Sequence, residues 1–154
     1  MEEQAPTLAL VPGCEWCFGC GPDNPFGLHP RFVVETDAAG ARRVVAAFTA
    51  RPEHQGFRGL VQGGILTAML DEAMAHAVWA EGIFAVTGRL EVFFRRPTPI
   101  ATPLRAVGEI VARRARVYET RARLLLPDGT PTVEGTGTFV ELPEGSFGQP
   151  GDSG

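Results

Sequence analysis

Apolar and polar positions change rhythm once along this chain, and that change sets strands around a single helix. Residues 31–36 and 42–49 are rich in β-branched side chains, and Asp37-Ala38-Ala39-Gly40 between them has hairpin-turn chemistry. Pro and Gly punctuate 50–62, which reads as a loop. From 64 to 80 the period becomes helical, with no breaker. Ile65, Leu66, Met69, Leu70, Ala73 and Ala77 share one face of that helix, as expected for a helix laid on a sheet. Four further strands are predicted at 85–94, 104–113, 117–126 and 133–142, with turns at Arg95-Arg96-Pro97 and Pro127-Asp128-Gly129. The order predicts one α+β domain over 1–142, with a long helix wrapped by an antiparallel sheet of five or six strands. Residues 1–28, rich in Cys, Gly and Pro, read as a loop-built segment with one short helical turn. The 143–154 tail has too little apolar content to fold and is expected to be flexible.

A sheet can cover only part of so apolar a helix, and Ala68, Ala75 and Trp79 fall on the remaining faces. A two-fold dimer that joins edge strands and brings two helices together would cover them. Two acids, Asp71 and Glu72, lie on that helix; Asp71 falls nearly opposite the apolar face, while Glu72 and His76 are four residues apart on one flank. Taken alone, the pair reads as a solvated acidic face; a dimer would place Asp71 at a subunit boundary instead. At the helix start, Gly63 and Gly64 leave backbone N–H groups uncovered where the helix dipole favours negative charge. An oxyanion donor and a carboxylate two turns further on together suggest acyl chemistry.

Composition narrows the chemistry. The 154 residues, 44% hydrophobic, supply one core and no room for a second domain. A net charge of -4 argues against a broad nucleic-acid surface. All 14 basic residues are arginine, which excludes a Schiff-base or P-loop lysine. The apolar run 8–11 is too short for a signal peptide or a membrane span, so the expected location is cytoplasmic, without membrane or nucleic-acid partners. Ser146 and Ser153 are the only serines, both in the tail, which argues against a serine hydrolase. Cys14, Cys17 and Cys20 are spaced C-x2-C-x2-C, and His29 in principle completes a Cys3His set. The missing second CxxC pair and the neighbouring Trp16, Phe18, Pro22 and Phe26 favour reduced cysteines in an apolar turn, and no metal is assigned.

Four blocks, CFGCGPDNPFGL at 17–28, HQG with QGGILTAMLDEA within 54–73, FRRP at 94–97 and GTGTFVE at 135–141, resemble the hotdog-fold acyl-CoA thioesterases of the phenylacetate-degradation, PaaI-like group. That resemblance implies a hotdog fold, and an enzyme that hydrolyses an acyl- or aryl-CoA thioester to free acid and CoA. No cofactor is implied, since coenzyme A belongs to the substrate. In the family the catalytic acid follows the second glycine by seven residues, which maps onto Asp71. The resemblance then implies that Gly63 N–H polarises the thioester carbonyl while Asp71 acts as general base on water or attacks directly. Gln62 stands where the family commonly has histidine.

Thr87 resembles a hydroxyl residue that some family members bring toward the reacting water from the partner subunit. Gln62 and His54 are candidates to orient substrate or water. Substrate contacts are assigned to Gly64 and Glu72 beside the site, to Phe57, Met69 and Phe93 around the acyl chain, and to Arg95, Arg96, Arg113 and Arg114 as phosphate partners for coenzyme A. The assembly implied is a homodimer, extended to a dimer of dimers. Two rival functions are carried forward, a non-catalytic hotdog protein that binds acyl-CoA or an aromatic ligand, and a hotdog hydratase or dehydratase.

Overall fold

A computed structural model describes residues 5–143 and 145–146, so the flexible tail expected over 143–154 lies mostly outside the described residues. Strands β1 (Val33–Thr36), β2 (Arg42–Thr49), β3 (Ala85–Phe94), β4 (Pro103–Arg114), β5 (Val117–Leu125) and β6 (Pro131–Glu141) surround one helix, α1 (Gly63–Trp79). They form a six-stranded antiparallel sheet in the order β1-β2-β4-β5-β6-β3. This is the hotdog arrangement implied by the resemblance. The first hairpin closes as expected, with the Asp37 carboxylate accepting from Ala39 N–H and Ala41 N–H, both at 2.9 Å. The loop 50–62 adds one 3-10 turn, Pro52–His54.

The core lies between the helix and the concave sheet face. Met69, Leu70 and Met74 of α1 are fully buried against Val44, Leu124, Val133 and Phe139. Their approach depends on a row of small residues across the sheet, because Gly108 of β4 pairs with Ala122 of β5, which pairs with Gly135 of β6. A Cβ at 108 would overlap the backbone carbonyl of Ala73, so α1 crosses β4 where there is no side chain.

Two expectations are corrected. The faces of α1 assigned to a partner chain are covered in part by this chain's own N-terminal segment, and Trp79 Nε1–H donates to the Ala9 carbonyl at 2.9 Å. That segment forms successive turns, with Cys17 N–H on the Cys14 carbonyl and Gly21 N–H on the Cys17 carbonyl, in place of the expected helical turn. Among the described residues no helix is long and apolar enough to cross a membrane.

Candidate functional site

The helix starts on Gln62, whose side-chain oxygen accepts from Ile65 N–H at 3.1 Å and whose carbonyl accepts from Leu66 N–H at 3.2 Å. Glutamine is not a favoured N-cap, which is why the helix was predicted one residue late. The Gly63 amide precedes the helical ladder, and neither Gln62 acceptor takes it up. It borders a cavity of about 710 Å³ lined by Gln62, Leu66, Phe57, Phe94, Arg95 and Arg96. An amide at a helix N-terminus, facing an apolar hollow with two guanidinium groups at its rim, is suited to a polarised carbonyl joined to an anionic group.

Asp71 and Glu72 have different surroundings, and neither is a solvated surface acid. Asp71 points toward the edge strand, where the Thr87 hydroxyl donates to its Oδ1 at 2.7 Å. Burial raises the proton affinity of Asp71, opposed by the Thr87 hydrogen bond. Thr87 sits at a bulge where the β3–β6 register shifts, and its contact to Asp71 lies within one chain, whereas the resemblance brought it from a partner subunit. Glu72 lies beneath the N-terminal turns, its side chain 13% exposed, and burial pushes its pKa up to about 7. The N-terminal turns close over it: Cys17 Sγ lies 3.7 Å from Oε1, and a Cβ at Gly19 would overlap the carboxyl group. His76 Nδ1 donates to the Glu72 carbonyl at 2.8 Å, and burial keeps the ring neutral. Glu72, His76 and Thr87 line a second cavity of about 830 Å³, with Trp79, Ile83 and Phe84 on its apolar wall.

The remaining candidates separate. His54 is 4% exposed, its Nδ1 accepts from Arg51 N–H at 3.0 Å and its Nε2 faces the Arg51 guanidinium, so the ring holds the 3-10 turn together. Met69 is wholly within the core while Phe57 is 84% exposed, so Phe57, Met69 and Phe93 do not line one acyl pocket. Arg95 and Arg96 follow the end of β3, whereas Arg113 and Arg114 end β4, at the opposite end of the sheet. About ten residues of strand, roughly 30 Å, part the two pairs within one chain. Arg95 is held by Glu134 at 3.0 Å and stacks over Phe93, and Arg113 stacks over Tyr118. Gly64 lies beside the Gln62 side chain, where an added Cβ would crowd its oxygen. What the motifs did not reveal is the union of Glu72 with Cys17 and Cys20, parted by more than fifty residues of sequence.

The sequence profile of the thioesterase superfamily matches residues 58–132. No protein in a search of curated sequences matches this chain. Among solved structures, a thioesterase-superfamily protein is similar at 28% identity with a TM-score of 0.72, over 90% of this chain and 70% of its own. The PaaI protein of the E. coli phenylacetic acid degradation operon is similar at 18% identity and a TM-score of 0.63, over 66% of this chain and 73% of its own. A hypothetical thioesterase from Streptococcus pneumoniae, solved with coenzyme A, shares 18% identity at a TM-score of 0.64, over 71% of this chain and 87% of its own.

Proposed function

We propose that this chain, whose residues 58–132 match the thioesterase superfamily and whose fold is the hotdog fold, is a thioester hydrolase that converts an acyl- or aryl-CoA thioester to the free acid and CoA. The observation that carries this reading is the half-buried Asp71 carboxylate, held by Thr87 beside a largely apolar cavity. Asp71 acts as general base. Thr87 fixes one carboxylate oxygen, the other takes a proton from water, and the resulting hydroxide adds to the thioester carbonyl carbon. The oxyanion is received by the Gly63 amide, and the carbonyl re-forms as the C–S bond breaks. The proton on Asp71 then passes to the departing thiolate. A thioester is activated enough for a base and one oxyanion donor to suffice without a protein nucleophile. The acyl group occupies the 830 Å³ cavity, and Arg95 and Arg96 meet the phosphates of coenzyme A. In the S. pneumoniae protein, the aspartate and the threonine that were each changed to alanine are spaced as Asp71 and Thr87 are, which supports the pairing.

Eight residues of helix, about 12 Å, part Gly63 from Asp71. A carboxylate and an amide that act on one carbonyl need a closer approach than this, so the working site takes Gly63 from one chain and Asp71 from another. Strand β3 supplies the contact. Among the described residues it pairs only with β6 and its other edge is open, and Val86, Phe93 and Phe94 are exposed along it. The expected assembly is a homodimer; a monomeric mass in solution at assay concentration would contradict the shared site.

The test is release of free thiol from a panel of short, long and aryl acyl-CoAs. Turnover of at least one is expected; binding without turnover of any would favour the ligand-binding alternative. Thr87→Val removes the hydroxyl that positions Asp71 while keeping the strand shape. It is expected to lower kcat by about 10- to 100-fold, the worth of one hydrogen bond to a charged group, with KM little changed. Steady-state kinetics on the preferred substrate would check it.

A further inference from the structure

Three groups able to ligate a metal meet where the N-terminal turns cross α1. The thiols of Cys17 and Cys20 and a carboxylate oxygen of Glu72 all lie within 4.8 Å of one another. Cys17, Cys20 and Gly21 form a C-x-x-C-G turn closed by Gly21 N–H on the Cys17 carbonyl at 2.9 Å, which sets both thiols on the same side of the loop. Gly19, between them, has no side chain, and this lets the loop backbone ride directly on the Glu72 carboxyl group. Among the described residues Glu72 Oε2 is buried without a hydrogen-bond partner, and His76 Nδ1, 3.6 Å away, is engaged with the Glu72 carbonyl. A buried carboxylate oxygen without a donor is costly, and a cation would satisfy it.

We propose that Cys17, Cys20 and Glu72 bind one zinc-class divalent cation, which ties the N-terminal turn to the outer flank of α1 and keeps a fourth position open toward the 830 Å³ cavity. Two thiolates with one carboxylate suit a borderline-soft, tetrahedral ion. The CxxC spacing chelates it from one loop, while Glu72 supplies the third ligand from the helix. Binding displaces both thiol protons to solvent, and the three anionic ligands offset the dipositive ion to leave a single negative charge. This set replaces the Cys3His set weighed from sequence. His29 is placed elsewhere, with its Nε2 on the Asn24 carbonyl at 2.7 Å, and Cys14 lies outside the cluster. The absence of a second CxxC, which argued against a metal in the sequence, loses its force once a helix residue supplies the third ligand.

Titration of the reduced, full-length protein with cobalt(II) tests the proposal independently of catalysis. A thiolate-to-cobalt charge-transfer band that saturates at one equivalent per chain, and that zinc abolishes, is expected. Cys20→Ser should remove most of the band. Glu72→Gln should weaken binding at least about tenfold, since loss of even an outer partner costs that much. Cys14→Ser should leave affinity unchanged, and circular dichroism verifies that each variant is folded. The proposal fails if the folded, reduced wild type shows no band at saturating cobalt, or if Glu72→Gln binds as tightly as wild type. It fails equally if Cys17 and Cys20 are recovered as a disulfide that takes up no metal after reduction. Should Glu72→Gln not fold, the comparison of Cys20→Ser with Cys14→Ser decides, and equal loss in both would overturn the assigned ligands.

Discussion

Asp71→Asn is expected to yield a folded protein that binds acyl-CoA with near-native affinity and hydrolyses it about 100- to 10,000-fold more slowly, the range for removing a general base. Asparagine keeps the shape of the side chain, and its amide oxygen still accepts from the Thr87 hydroxyl, so the geometry around the site survives. What disappears is the ability to take a proton from water. Because chemistry is lost and binding is kept, the effect falls on kcat and leaves KM nearly unchanged. Stability should move the other way. Burial disfavours the ionised form of Asp71, as its raised pKa reports, so a neutral amide removes an unfavourable buried charge at neutral pH. A variant that loses activity while its Tm holds or rises marks a residue kept for chemistry. Equal losses of activity and stability would point to a structural acid. Thiol-release kinetics beside thermal melts would separate the two.

Gly108→Ala is expected to destabilise the fold by about 3 kcal/mol or more, at the upper end of overpacking costs. The added methyl meets the Ala73 backbone carbonyl, and backbone cannot rotate away as a flexible side chain would. Relief requires α1 to lift from β4, which opens contacts around Ala73, Ala77 and Val44 in the core. Thr136→Ala, at an exposed position on β6, serves as the control with little effect, and thermal or denaturant melts of the two variants provide the measurement. A Tm for Gly108→Ala within a degree or two of wild type would contradict so close a helix-to-sheet approach.

Elements with strong periodicity were legible from the residues alone. The breaker-free run over 64–80, a helix over Gly63–Trp79, and the alternation through 42–49 formed the predicted elements because local pattern and tertiary burial agree there, and 85–94 formed its strand although most of it is exposed. The placement of Gly63 and Asp71 on one helix was also legible, since their spacing along it is fixed. The small-residue row formed by Gly108, Ala122 and Gly135 was not, because its members become neighbours only after β4, β5 and β6 pair. Strand order likewise hid the separation of the arginine pairs. Both pairs end strands, yet β3 and β4 run in opposite directions with β5 and β6 between them. The pairing of Thr87 with Asp71 within one chain, and of Glu72 with the cysteine turn, depends on how far the helix lies over the edge strand and how the N-terminal segment folds back. Neither leaves a periodic trace in the sequence.

The central claim is that this site breaks a thioester bond, beyond holding its substrate. Wild-type protein placed in excess over one acyl-CoA from the panel allows a single turnover to be followed by quenching and separating the products. Free acid and free CoA are expected to appear together, one of each per thioester consumed. Acyl-CoA that remains bound and intact throughout would contradict the account.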